Sequence, residues 1–392
     1  MISGRDIICF ANDWSGDPLS KKHIMRVLAK SNRVLWINSV TNRTPKLNSN
    51  DIRKIATKLL EFSQGSQQVA HNIHTFTPVL FPSFHNDALR KFNRKILALQ
   101  IRAVSKRLQF RRPITWTFAP TSGDVVGNLG EEVILYHCVD EFSSFSDAPK
   151  ATIQVMEQAL LKKAHLVITS SERLKGLKQH YNKNCHVVTH GVEVEHFRKA
   201  ADPLTAVPSD VLNLPKPIIG FYGLIEDWID LKLIRLIAES HPEWSIVLLG
   251  STKVNMDSVL TVPNVYYLGR KQYEDLPAYC KAFDAAIIPF VINELTLNAN
   301  PLKFREYLSS GLPVISTRLP EVEKYKDLVS VADNSAEFVQ CVEQAVRENT
   351  PLMKRQRIEA MQSETWAAKV EKISALLLEI SPSKEREAAS LG

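Results

Sequence analysis

The feature that most constrains this chain is a sustained alternation of short apolar, β-branched runs with amphipathic helical stretches. That pattern leads to a parallel sheet covered by helices. The run DIICF at 6–10 reads as a strand, 19–30 as a helix and VLWIN at 34–38 as a second strand, a β-α-β opening. Further strands are expected at 114–118, 133–139, 165–169 and 185–189, with helices over 149–164 and 171–180. Residues 200–217 hold four prolines and no periodicity, which reads as a linker. The alternation then resumes, with strands at 218–223, 244–250, 265–269, 284–290, 312–317 and 328–332. Helices are expected between them over 230–240, 273–283, 301–310 and 335–348. A last helix over 364–380 sets Trp366, Val370, Ile373, Leu376 and Leu377 on one side and needs a surface to pack on. The predicted class is α/β, with two Rossmann-like, doubly wound domains at 1–205 and 212–360 facing a cleft, followed by a helix at 361–382. A length of 392 residues suits two or three domains. Residues 41–75 are polar and irregular and suggest no function.

Composition removes several classes. No uncharged apolar run approaches the ~20 residues of a membrane span. The first residues, MISGRDIICF, lack a signal peptide's order of basic, apolar and small-residue regions, so a cytosolic protein is expected. Five widely spaced cysteines without a C-x-x-C pair argue against disulfides and structural zinc. The net charge of +7 comes from one place, because residues 85–112 carry nine cations against the single acid Asp87. Helical spacing puts Leu89, Phe92, Ile96, Leu99, Ala103 and Phe110 on one side of this segment and Lys91, Arg94, Lys95, Arg102 and Lys106 on the other. It is either a solvated surface helix or a helix that attaches residues 87–112 to an anionic membrane surface, where each cation is worth about 1 kcal/mol. No nucleic-acid-binding motif accompanies it.

In open parallel sheets ligands bind beyond the carboxyl ends of the strands. No G-x-G-x-x-G or Walker sequence occurs, which disfavours a dehydrogenase or a P-loop NTPase. Gly223 ends a strand and lets backbone approach a phosphate, or simply makes a turn. In NPLKFREYLSSGLPVI, residues 300–315, Asn300 reads as an N-cap and Pro301 as the first helical residue, leaving free N–H groups at Leu302 and Lys303. A cation at Lys303 opposes the helix dipole, which suits an anionic ligand. Glu306, one turn on, is placed to accept ribose hydroxyls or to pair locally with Lys303.

The run NPLKFREYLSSGLPVIST resembles the nucleotide-sugar signature of GT-B glycosyltransferases. The resemblance continues in LGRKQYEDLPAYCKAFDAAIIPF at 268–290, AHLVITSSERL at 164–174 and VTHGVEVEHF at 188–197, and spans about 133–378. It implies a C-terminal domain holding a nucleoside-diphosphate sugar as co-substrate, UDP-linked by preference, and an N-terminal domain holding the acceptor. It also implies a last helix that returns to the N-terminal domain. Some relatives build exopolysaccharide on lipid carriers, so the expected acceptor is a glycan or lipid-linked saccharide in polysaccharide biosynthesis. The expected location is the inner face of the membrane, as a peripheral protein.

One departure bears on mechanism. Retaining members often carry two glutamates with seven residues between them, and with Glu306 as the second the first position here is Asn298, while Glu294 is out of register. Asp140 and Lys303 instead resemble the base and the phosphate-binding lysine of the inverting xanthan-type glucuronosyltransferase. Inversion needs one base for the acceptor hydroxyl and one cation for the departing diphosphate, roles that fall to Asp140 and to Lys303 with Arg270. No metal is then required. Glu141 competes with Asp140 as base, and Asp140 is otherwise a turn or capping residue. His190 is a candidate cleft residue, Asp13 and His23 candidate acceptor contacts, and Phe290 a border for the nucleotide base or a core residue. The alternatives are a sugar-nucleotide epimerase of the same fold, and a catalytically silent scaffold that binds nucleotide sugar or a partner transferase.

Overall fold

The computed structural model describes residues 1–39, 60–81, 87–146 and 148–380. Residues 41–59 of the irregular segment, 85 and 86 of the basic segment and 381–382 of the final helix lie outside the described residues.

The chain forms two compact units, Met1–Thr189 with Val370–Gly392, and His190–Lys369. The first contains strands β1 (Asp6–Phe10), β2 (Arg33–Ile37), β3 (Gln67–Ala70), β4 (Ile73–Phe76), β5 (Ile114–Thr117), β6 (Val133–Cys138), β7 (Leu166–Thr169) and β8 (Cys185–Val187). They lie in the order β3-β4-β2-β1-β5-β6-β7-β8. Every neighbouring pair is parallel except β3 and β4, an antiparallel hairpin at the edge. The hairpin falls inside the segment read as irregular, because QQVA and IHTF carry too little apolar alternation to announce a strand. The second unit contains β9 (Ile218–Tyr222), β10 (Ser245–Leu249), β11 (Val265–Tyr267), β12 (Ala285–Ile288), β13 (Val314–Thr317) and β14 (Val329–Ala332). Their order is β11-β10-β9-β12-β13-β14, all parallel. In each sheet the order reverses beside the unit's first strand, between β1 and β5 and between β9 and β12, and these switch points open the crevices where ligands bind.

Local signals explain the helices. Ser171, Asp230 and Asn334 each accept a hydrogen bond from the backbone N–H three residues on, so three helices start where a capping side chain stands. The final helix, Trp366–Ile380, buries Trp366, Val370, Ile373 and Leu377. The division of the chain falls after Thr189 rather than near 205, because Val192, Val194, Phe197, Ala200 and Val211 insert into the core of the second unit. The proline-rich stretch is therefore partly packed, including a short helix at Ser209–Leu212.

The basic helix spans Asp87–Arg107 but is rotated from the expected face. Leu97, Ala98 and Ile101 enter the core of the first unit, while Phe92 and Leu99 are 50 % and 64 % exposed. The helix has two apolar stripes, and the sheet takes the one that the charge pattern does not flag. Among the described residues no helix is long and apolar enough to cross a membrane.

Candidate functional site

In the second unit the crevice beside β9 brings together three of the expected residues. Gly223 follows β9 at φ 144°, and a Cβ built on it would lie 2.0 Å from Lys303 Cε and 2.7 Å from its Nζ. Only glycine lets the Lys303 side chain cross this turn. Gly250, after β10, repeats the device at φ 137°, its Cβ position lying 1.8 Å from the Gly223 carbonyl oxygen. The helix carrying Lys303 is Lys303–Ser309, with Leu302 at the N-cap in a helical conformation and making no side-chain cap. Asn300 does not cap it. Its side-chain oxygen accepts from Arg305 Nη1 at 2.6 Å and its amide donates to Glu321 at 3.3 Å, so the Asn-Pro pair is tied to the buried Arg305 and not to the helix N–H groups.

Lys303 and Glu306 do not form the local ion pair that their spacing permits. Glu306 Oε2 accepts from the Tyr222 hydroxyl at 2.9 Å, and the Tyr222 N–H donates to the Tyr307 hydroxyl at 2.9 Å. The ammonium of Lys303 has no hydrogen-bond partner among the described residues. Burial lowers its pKa, against the opposing charge of Glu306. Burial raises that of Glu306, which Lys303 and the Tyr222 hydrogen bond counter and Glu193 reinforces. A half-buried cation and a half-buried carboxylate thus stand side by side, both short of compensation, a state that suits a ligand carrying both an anion and hydroxyl donors. Arg270 is exposed in the loop after β11. Phe290 follows β12, is 8 % exposed and belongs to the core of the second unit. Asn298 and Glu294 both lie in the helix Glu294–Asn298, where the Asn298 amide donates to the Glu294 carbonyl at 2.7 Å. His190 is buried with its ring 6.0 Å from that of Trp366.

In the first unit the loop after β6 separates two adjacent carboxylates by their partners. Glu141 is 5 % exposed and accepts from Lys178 Nζ at 2.6 Å and from Ser143 Oγ at 2.7 Å. Lys178 also donates to Glu157 at 2.7 Å, and Glu157 accepts from the Tyr136 hydroxyl at 2.5 Å. Burial pulls the Lys178 ammonium down, but the combined charges of Cys138, Glu157 and Glu141 outweigh it and its pKa ends above that of an ordinary lysine. Asp140 is half-buried, and its carboxylate makes no hydrogen bond among the described residues. Burial pushes its pKa up, the charge of Lys21 draws it down and Glu141 adds to the rise. A carboxylate held above its ordinary range and not committed to a partner is the better proton acceptor of the two.

Lys21 is the residue that sequence reasoning missed. It lies in the first turn of the helix Ser20–Leu28, donates to Asn12 Oδ1 at 2.5 Å and sits 5.8 Å from the Phe142 ring centre. Burial lowers its pKa, against the charge of Asp140. The signal was present, because Lys21 and Lys22 are cations in the first turn of a helix that has no acidic residue there, as Lys303 is a cation at the start of its own. Asp13 and His23 are used internally. Asp13 Oδ1 accepts from the Ser39 N–H at 2.9 Å and its hydroxyl at 2.7 Å, and His23 Nε2 bonds to the Pro18 carbonyl at 2.9 Å.

Residues 216–348 match the family of glycosyl transferases group 1. A Bacillus subtilis (strain 168) protein named for glycosyl transfer in teichuronic acid biosynthesis, TuaH, is 26 % identical over 237 residues, 55 % of this chain and 59 % of that protein. The match therefore spans less than two thirds of that relative's length. Sucrose-phosphate synthase of Thermosynechococcus elongatus superposes with a TM-score of 0.69 at 15 % identity, over 96 % of this chain and 99 % of that one. HepE of Anabaena, in complex with UDP and glucose, superposes with a TM-score of 0.65 at 13 % identity, over 95 % of this chain and 98 % of that one. HepE has also been solved in complex with UDP-glucose.

Proposed function

We propose, for a chain of GT-B fold whose residues 216–348 form a group 1 glycosyl transferase domain, that the protein is an inverting glycosyltransferase of polysaccharide biosynthesis. Its donor is a nucleoside-diphosphate sugar, UDP-linked by preference because HepE is seen with UDP and UDP-glucose. Its acceptor is a glycan or lipid-linked saccharide. The observation that carries this reading is the Lys303 ammonium lying across Gly223 at the switch point, beside Glu306, in the matched domain. Lys303, with Arg270, takes the diphosphate, and Glu306 takes the ribose hydroxyls in place of, or alongside, the Tyr222 hydroxyl.

The chemistry follows from two groups. Asp140 removes the proton of the acceptor hydroxyl as its oxygen attacks the anomeric carbon. The bond from that carbon to the diphosphate oxygen breaks with inversion, and the nucleoside diphosphate leaves with the electron pair. Lys303 neutralises the charge that grows on the leaving oxygen, a role that needs no metal ion. Lys21 stabilises ionised Asp140 before the step. The first unit and the final helix serve the acceptor, the second unit the donor. The basic helix attaches the protein to an anionic membrane surface at the inner face, its cations Lys91, Lys95, Arg102 and Lys106 all being exposed.

The test is thermal stabilisation by UDP, GDP, ADP, CMP and TDP with and without EDTA, followed by transfer assays of Asp140→Asn. One nucleotide is expected to stabilise the protein equally in EDTA, and Asp140→Asn is expected to bind it normally and transfer nothing. Stabilisation by none at millimolar concentration, or full transfer by the variant, overturns the reading.

A further inference from the structure

A polar groove of about 510 Å³ opens in the first unit at the amino ends of β1, β2 and β5, the opposite end of the sheet from its switch-point crevice. The length of β1, Asp6–Phe10, puts roughly 13 Å between the two. Three arginines, Arg5, Arg33 and Arg111, line the groove against one carboxylate, Asp6, and among the described residues no apolar side chain does. The oxygens that could answer these cations are already in use. One oxygen of Asp6 accepts from Arg33 Nε at 2.8 Å and the other from the Arg111 backbone N–H at 2.6 Å. The Asn32 side-chain oxygen accepts from the Arg5 backbone N–H at 3.0 Å. Glu132 accepts from Arg5 Nη2 at 2.7 Å and lies 3.8 Å from Arg112 Nε. The Arg111 guanidinium is exposed and makes no hydrogen bond or ion pair among the described residues.

The backbone around Arg111 is held by the same groups. The helix Asp87–Arg107 ends in a turn closed by the Phe110 N–H on the Ser105 carbonyl at 2.8 Å and the Gln109 N–H on the Lys106 carbonyl at 3.0 Å, with Gln109 left-handed at φ 57°. Glycine is the usual residue at that position of such a turn. The turn alone therefore does not account for a glutamine, and exposed Gln109 lines the groove. Arg33 caps the last carbonyls, donating to those of Leu108 at 3.0 Å and Gln109 at 3.1 Å, and lies over the Phe110 ring at 5.0 Å. Arg112 at φ 46° and Asn72 at φ 57° are also left-handed. Every described non-glycine residue of positive φ thus lies in this groove or next to a residue that does. Such conformations persist where the surroundings over-determine them, and they gather at binding sites.

We propose that this groove is an effector site for inorganic diphosphate, held by Arg111 and Arg5, separate from the donor crevice and independent of it. A planar guanidinium takes one phosphoryl group bidentately, so two guanidiniums suit a ligand that carries two such groups. The groove is rich in donors while its carboxylate and the Asn32 oxygen are spent, which favours a ligand made only of acceptors over one that brings hydroxyls of its own. With no aromatic or aliphatic side chain in the lining, nothing there stacks on a nucleotide base, and the inorganic ion is preferred to a nucleotide.

Calorimetric titration of the full chain with sodium pyrophosphate in 0.15 M sodium chloride, where exposed charges are largely screened, at roughly an 8 Å screening length, tests the site. Lys303→Ala is the background, so that the donor crevice is removed from the reading. One equivalent is expected to bind, with orthophosphate and UDP each at least tenfold weaker. Adding Arg111→Ala, which removes no side-chain bond, is expected to weaken pyrophosphate at least tenfold. Adding Lys106→Ala, an exposed cation of the adjoining helix, is expected to change it less than twofold. Thermal unfolding checks that each variant folds, and Arg111→Lys, which keeps the charge and loses the fork, is expected to weaken binding at least threefold should the alanine variant not fold. No binding, undiminished binding by the Arg111 variants, UDP as tight as pyrophosphate, or an equal loss from Lys106→Ala overturns the proposal. UDP binding by wild type without pyrophosphate binding by Lys303→Ala sinks this proposal alone. Pyrophosphate binding that depends on Arg111, with no UDP binding by wild type, supports the groove and sinks the donor site.

Discussion

Replacing Gly223 by alanine tests the donor site through a single methyl group. The new Cβ would lie 2.0 Å from Lys303 Cε and 2.7 Å from Nζ, where carbon atoms in contact stand about 3.5–4.0 Å apart. Lys303 must therefore move by roughly 1.5 Å, while a charge-assisted hydrogen bond tolerates only a few tenths of an ångström around ~2.8 Å. Losing one such bond to the diphosphate costs about 1.5–3 kcal/mol, or about 10- to 150-fold in the Kd for UDP. Because the alanine acts through Lys303, it should cost less than about 0.5 kcal/mol more when placed on Lys303→Ala. Calorimetry on wild type, both single variants and the double variant closes the cycle, with thermal unfolding to confirm that each is folded. A folded Gly223→Ala protein that binds UDP within twofold of wild type refutes the reasoning. So does an equal loss in both backgrounds, which would mean that the strain at φ 144°, and not Lys303, is what matters.

Two further predictions concern the first unit. Lys178→Met leaves the buried carboxylates of Glu141 and Glu157 without their shared cation and should destabilise the protein by about 3–5 kcal/mol. Adding Glu141→Gln and Glu157→Gln should restore most of that in urea unfolding, and a triple variant no more stable than the single one refutes the pairing. Burial, with a lesser push from Lys21, holds His137 at a pKa of about 3 against 6.5 for the free side chain, and neither ring nitrogen has a hydrogen-bond partner among the described residues. Between those pH values the unfolded chain binds more protons, so stability is lost as pH falls below 6.5. The loss reaches about 1.4 kcal/mol at pH 5.5. His137→Phe, which keeps a ring to stack on Phe118, should show a correspondingly smaller drop in urea midpoint between pH 7.5 and 5.5, and parallel drops in both proteins would refute the assignment.

Much of the fold was legible in the sequence because it is written in local terms. The β-α alternation, the capping residues at 171, 230 and 334 and the buried side of the final helix depend on residues close to one another along the chain. So does the cation at the start of the Lys303 helix, although Asn300, an excellent capping residue by type, turned to Arg305 instead. What tertiary structure decided were choices between chemically equivalent neighbours. Asp140 and Glu141 are adjacent carboxylates, and only the arrival of Lys178 from a helix 37 residues away commits one and leaves the other. The basic helix offers two apolar stripes of similar strength, and only the sheet it meets determines that Leu97, Ala98 and Ile101 go in while Phe92 and Leu99 stay out. Phe290 went to the core and Val192 to the second unit for the same reason. Periodicity along a chain measures how much apolar surface an element has and at what spacing, whereas burial and hydrogen-bond partners belong to groups brought together from distant positions, which no local pattern encodes.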